Sequence, residues 1–240
     1  MFVLRPDFPA NTWDEFVKHV KQAEAPVRIG YKAPIAVAKM AFEAALQDAG
    51  ISFSGNPADT TAKVLMINVK GGGKLNASLS GGLVDGYAGT NPFPAIGEER
   101  GILKVVCDLE ELPPGTFRNH PCCCIAGHDG AMRDKQEAIA ALLALVMRAT
   151  DLINNDLDAA VASATRWIGT SESVERSSIP TSGYTMSDSK AWHALMATWL
   201  TSMQELGIFT GKLKGLSEEQ TAALGYDMSA LRKAEQLLEP

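Results

Sequence analysis

The stretch from Val27 to Phe93 does most to limit what this chain can fold into. Five residues of strand character, Val27–Tyr31, run into a Lys-Ala-Pro turn and then into apolar positions at helical spacing over 34–49. A second strand pattern covers 62–69. It is followed by Gly71, Gly72 and Gly73, a short helix, and a third strand and turn over 84–94. Strands that alternate with helices require right-handed crossovers and hence a mainly parallel sheet. Small ligands of such sheets sit at the carboxyl ends of the strands, so the three turns after these strands are the expected site.

The flanks extend the pattern. Residues 2–5 read as a short strand, followed by a Pro-Asp-Phe-Pro turn and a helix entered at Asn11 or Thr12, with Glu15 in capping-box range of Thr12. After Phe93 come a strand over 102–109, a loop at Pro113, Pro114 and Gly115, and a further strand at 122–126. Beyond His128 the spacing is helical throughout, over 130–149, 156–168, 171–178, 188–206, 217–224 and 227–238. Gly169, Gly183, Gly207 and Gly225 fall where those helices should stop.

Composition excludes several classes. At 240 residues and 46% hydrophobic content the chain can bury a real core. With 22 basic and 28 acidic residues, a net charge of -6 and no basic run interleaved with aromatics, it carries no nucleic-acid footprint. No apolar run approaches the roughly 20 residues of a membrane helix; the longest, at 138–147, reads as a buried helix. The first residues show no signal-peptide pattern in the chain as given, which suits a cytosolic protein or one whose leader lies outside this sequence. Cys107 and the adjacent Cys122, Cys123 and Cys124 do not make a disulfide framework, because neighbouring cysteines are poorly placed to bridge in a relaxed backbone.

Within the three turns, Lys32, Ala33 and Pro34 come first. Pro34 suits the first turn of the following helix, whose start offers free amides and a positive dipole end, and Lys32 adds charge toward an anion or carboxylate. Gly71 and Gly72 lie in a turn whose backbone could approach a ligand, though an ordinary turn explains them equally well. The GGGK sequence lacks the spacing of a phosphate loop. The run His-Pro-Cys-Cys-Cys-Ile-Ala-Gly-His at 120–128 invites a metal, but a strand would put Cys123 on the face opposite Cys122 and Cys124. A buried strand is therefore favoured, with no metal and no cofactor. His19 and His193 show no triad pattern, and Trp167, Trp192 and Trp199 fall at helical, core-type spacing.

The order of VLRPDFPANTWDEF, RIGYKAPIAVAKMAFEAALQDAGI, GGLVDGYAGTNPFPAI, HPCCCIAGHDGAMRDKQEAIAALLALVMRATDLINND, WIG and WLTSMQELGIF resembles the substrate-binding proteins of ABC importers for nitrate, sulfonate, taurine and bicarbonate, with the related thiamine-pyrimidine-precursor group. The resemblance implies an α/β fold of the periplasmic binding protein-like type II class: a parallel-sheet lobe with crossing strands, then a helical C-terminal region. It implies a first crossing strand within 1–10, a ligand-binding lobe over 11–118, a return crossing strand within 119–128, and a helical region over 129–240 that in the family packs on the first lobe. Most of that first lobe has no counterpart in this sequence, so half the usual cleft is missing. The apolar helical faces, including Ile139, Leu142, Leu143 and Val146, would then need another cover. A homo-oligomer or a separate first-lobe partner is the expectation.

The resemblance further implies binding of a small polar or anionic solute for ABC-type import, without catalysis, beside a membrane permease and in the periplasm. In that family the loop at 85–94 lines the cleft, which gives Thr90 and Asn91 ligand contacts and leaves Asp85 a structural role. The alternative for Asn91 is a turn-fixing bond to its own backbone. Thiamine-pyrimidine synthase relatives carry a longer cysteine run tied to iron. Here Ala126 stands where their last cysteine would be, so an enzyme of that kind is the runner-up. An interaction protein derived from the binding fold is a third reading.

Overall fold

The structure, a computed structural model, describes residues 1–205 and 207–239. The last position of the helix expected over 188–206 lies outside the described residues. The chain divides into two compact units, one formed by residues 1–118 with 164–181, the other by residues 119–163 with the chain from 182 onward.

The first unit is built on one sheet. Its strands are β1 (Phe2–Leu4), β2 (Val27–Tyr31), β3 (Phe53–Ser54), β4 (Val64–Asn68), β5 (Gly86–Ala88) and β6 (Lys104–Cys107), in the order β3-β4-β2-β5-β1-β6. β2 runs parallel to both β4 and β5, and β3 parallel to β4, as the strand-helix alternation requires. β1 is antiparallel to β5 and to β6, so β6 runs in the same direction as β5. The opening strand thus pairs with strands that come after it. Gly86 is needed at this junction, because a Cβ there would lie 2.5 Å from the Val3 carbonyl oxygen. The two-residue β3 has no alternation to reveal it in the sequence.

Helices cover both faces. Alternate side chains of a strand point to opposite sides. Accordingly Phe2 and Leu4 pack with α1 (Trp13–Gln22) and α2 (Val37–Asp48), while Val3 packs with α3 (Leu75–Ser80) and Tyr87. Phe2 centres one core, its ring 4.8 Å from Phe16 and 4.7 Å from Phe42. Thr12 caps α1 by accepting the Glu15 amide at 3.2 Å, and the Glu15 carboxylate reaches the Asn11 amide at 2.7 Å, one residue earlier than a capping box would place it. A helix absent from the sequence reading, α4 (Phe93–Glu99), starts inside the segment expected to be a turn. Its prolines stand at the cap and in the first turn, where no helical hydrogen bond is lost.

The helical spacing beyond His128 yields α5 (Asp129–Asp134), α6 (Gln136–Asn155), α7 (Leu157–Ile168), α8 (Glu172–Ser178), α9 (Lys190–Glu205), α10 (Glu218–Gly225) and α11 (Ser229–Leu238). Of these, α8 belongs with the sheet: Ser171 and Ser173 both donate to the Glu99 carboxylate of α4, which holds that carboxyl below its ordinary value. In the second unit α6 packs along α11 through Leu143, Ala144, Ala230 and Ala234. Leu143 is therefore covered, whereas Leu142 on the same helix is exposed.

One expected element does not form. Residues 122–126, read as a buried crossing strand, are irregular and exposed, and the sheet contains no strand from this segment. Apolar content misleads here, since Gly127 and His128 close the run after only Ile125 and Ala126. Cys124 and Ile125 face solvent instead of a core.

Candidate functional site

The turns after β2, β4 and β5 gather at the carboxyl edge of the sheet. The Gly71 amide donates to the Lys32 carbonyl at 2.9 Å and the Val69 amide to Tyr31 at 3.0 Å, tying the first two turns together. The third turn is linked through the Lys32 ammonium, which lies 3.5 Å from the Thr90 hydroxyl, the outer limit of a hydrogen bond. Lys32, Gly71, Gly72, Thr90 and Asn91 are half-buried, whereas Ala33 and Pro34 are exposed.

Pro34 does not open a helix. The Ala36 amide donates to the Ala33 carbonyl at 3.1 Å, closing a turn in which Pro34 takes the second position, and α2 begins only at Val37. The fixed proline φ is used by the turn rather than by the helix. Gly71 has φ of 130°, a conformation that needs glycine, and a Cβ on Gly72 would strike the Phe93 ring of α4. Gly72 is thus accounted for by packing, and the amide of Gly71 is already spent on Lys32.

Within these three turns the charge has one sign. The loops at 32–36, 69–74 and 89–92 contain Lys32, Lys70 and Lys74 and no acidic residue. The first acidic group of β5's surroundings, Asp85, sits at the opposite edge. Its carboxylate accepts the Arg28 backbone amide at 2.9 Å and the Arg28 guanidinium at 2.8 and 3.1 Å, with Arg5 at 3.7 Å. Burial pushes the Asp85 carboxyl up, but the bonds and charge of Arg28 outweigh it, and the net shift is downward. Asp85 is a structural anchor between β2 and β5.

Asn91 does not fix its own turn. Its side-chain amide donates to the Thr181 hydroxyl at 2.7 Å, and that hydroxyl donates to the Ser178 carbonyl at 2.7 Å. Its Oδ1 is shielded from solvent and has no hydrogen-bond partner among the described residues. Thr181 had no local signal in the sequence, being 90 positions away from its partner. Lys39 and Glu43 were also missed: a 2.6 Å pair on α2, with Glu43 almost fully buried and Lys39 set 5.4 Å from the centre of the Tyr31 ring. Burial first, and then the Glu43 charge, raise the Tyr31 hydroxyl.

Elsewhere, no group of three His, Cys, Asp or Glu side chains among the described residues converges as a metal set, and no described helix is long and apolar enough to cross a membrane.

The profile of the NMT1-like family matches residues 8–169. No curated protein sequence matches the chain significantly. Among solved structures, the ligand-binding component of an ABC-type import system from Staphylococcus aureus, determined with zinc bound, is similar at a TM-score of 0.67 and 14% identity, over 87% of this chain and 64% of that one. The periplasmic aliphatic sulphonate binding protein of Escherichia coli is similar at 0.64 and 15%, over 88% of this chain and 62% of that one. The alkanesulfonate-binding protein of Xanthomonas axonopodis pv. citri, bound to MOPS, gives 0.60 and 10%, over 88% and 66%. At these identities the likeness is one of fold, periplasmic binding protein-like, and the chain spans less than two thirds of the length of the first two.

Proposed function

Because the chain belongs to the NMT1-like family, we propose that it binds a small anionic or polar solute for ABC-type import and performs no chemistry on it. The observation that carries this is the one-signed charge of the three turns after β2, β4 and β5. Lys32 stands at the carboxyl edge with Thr90 as its neighbour, and among the described residues no carboxylate pairs with it. A half-buried ammonium without a counter-charge favours an anionic group beside it. Lys32 is the electrostatic contact, Thr90 and Asn91 the hydrogen-bonding ones, and the turns at Ala33, Pro34, Gly71 and Gly72 shape the edge. Segment 1–10 is the first crossing of a two-lobed binding protein, with 11–118 its ligand lobe, and 119–128 follows that lobe without forming a strand. It works in the periplasm beside a membrane permease, and a second copy or a separate first-lobe chain covers the apolar helices of 129–240.

Calorimetric titration with alkanesulfonates, carboxylates and their uncharged analogues tests this. Saturable binding of an anion is expected, with Lys32→Ala weakening it about tenfold to a hundredfold, the range of a hydrogen bond to a charged group. Anion binding that is unchanged in Lys32→Ala, or preference for the uncharged analogue, would overturn it.

A further inference from the structure

The run Cys122, Cys123 and Cys124 takes no part in the proposed solute site, and its backbone is irregular where a strand was expected. In a strand the first two side chains would point to opposite faces. Here the Sγ atoms of Cys122 and Cys123 lie 3.8 Å apart, on an exposed segment. The segment is anchored just before the pair: the Trp199 indole N–H of α9 donates to the Pro121 carbonyl at 2.9 Å, and His120 meets the Trp199 ring at 71°, with centroids 4.9 Å apart. No third side chain of the metal-ligating types completes a set among the described residues, so the four-ligand geometry of structural zinc is not available. Soft centres, by contrast, bond strongly to sulfur.

We propose that Cys122 and Cys123 form a dithiol site for a soft, thiophilic centre of the kind represented by trivalent arsenic. With an organoarsenic(III) oxide, both thiols add to arsenic. Two As–S bonds form, the arsenic–oxygen bond breaks, and the two thiol protons leave with the oxygen as water. No electron changes hands and no further reactant is needed. The second As–S bond closes within one molecule, so the ring adduct outlasts any single-thiol adduct. Cys107 on β6 is an internal control, because burial pushes its thiol up to about 11 and keeps it protonated.

The test uses the full chain and phenylarsine oxide, read by native mass spectrometry in the presence of excess 2-mercaptoethanol. One adduct per chain is expected, stable to the monothiol and released by 2,3-dimercaptopropanol. Cys122→Ser and Cys123→Ser should each reduce retention about a hundredfold, the gain expected from closing the second bond intramolecularly. Cys124→Ser and Cys107→Ser should leave it unchanged. Alanine at the same two positions, with circular dichroism to report folding, gives an independent pair of variants. An adduct that the monothiol removes from the parent chain would overturn the proposal. So would retention that survives loss of Cys122 or Cys123, or that depends on Cys124.

Discussion

The two units bury their apolar residues in different ways. The sheet unit closes on a cluster of rings, with Phe42 set 4.7 Å from Phe2, 5.8 Å from Trp13 and 6.0 Å from Phe16. In the helical unit α6 meets α11 through Leu143, Ala144, Ala230 and Ala234, and leaves Leu142, Leu145 and Leu152 of α6 exposed by 54%, 62% and 52%. Large rings in contact supply both buried area and shape specificity, whereas alanine contacts bring helices close with little area removed from water. The ring cluster of the sheet unit is therefore a closed core, whereas the α6–α11 contact buries little and leaves apolar surface on α6. Phe42→Ala is the strongest way to break this contrast. It should cost about 3–5 kcal/mol, measured by urea denaturation of the full chain. A loss below about 1 kcal/mol, ordinary for an average substitution, would mean that the ring cluster is no more a core than the α6–α11 contact.

The contrast extends to charge. Asp85 in the sheet unit is held by both backbone and side chain of Arg28, with its own side chain 13% exposed. Asp188 in the helical unit is held by His193 at 2.7 Å and by Arg232, and these bonds, the His193 one foremost, lower its carboxyl as well. The Asp85 bonds join two neighbouring strands, and Asp85→Asn keeps one acceptor oxygen but removes the charge and sets an NH2 donor against the Arg28 donors, so it should destabilise by about 1–3 kcal/mol at neutral pH. Because the folded carboxyl is depressed, this contribution is fully present above the ordinary carboxylate range and is lost as pH falls through the folded value. Parent and variant should accordingly converge under acid conditions. Asp188→Asn should have the smaller effect at neutral pH, and the reverse order would mean that the helical unit carries the tighter electrostatic anchor.

The same contrast explains what was legible in the sequence. Periodicity exposed β2, α2, β4 and the long helices because each has a repeated side that must be apolar. It also placed the turns of Lys32, Gly71 and Thr90 on one edge, since crossover topology brings them there whatever their detailed shape. The details that periodicity does not encode were lost. Pro34 obeys a turn instead of a helix start, α4 hides behind two prolines, and β3 is too short to alternate. Thr181 reaches Asn91 only through tertiary packing, a pairing that no local pattern announces. Residues 122–126 failed for the opposite reason: a run of small, apolar-looking side chains reads as strand, yet strand identity requires a partner strand.

The smallest expected effect sharpens the comparison most. Leu142→Ser combined with Leu145→Ser removes two leucines, but both are more than half exposed, so the dilute chain should change in stability by no more than about 0.5 kcal/mol. Self-association at higher concentration and binding of an apolar dye should both fall, because the exposed stripe is what a second copy or a first-lobe chain would cover. Sedimentation and dye fluorescence on parent and double variant read this out directly. If instead the dilute variant loses several kcal/mol, these leucines already belong to a core. If the parent runs as a single chain and binds no dye, the stripe needs no cover, and the difference between the two units is one of size alone.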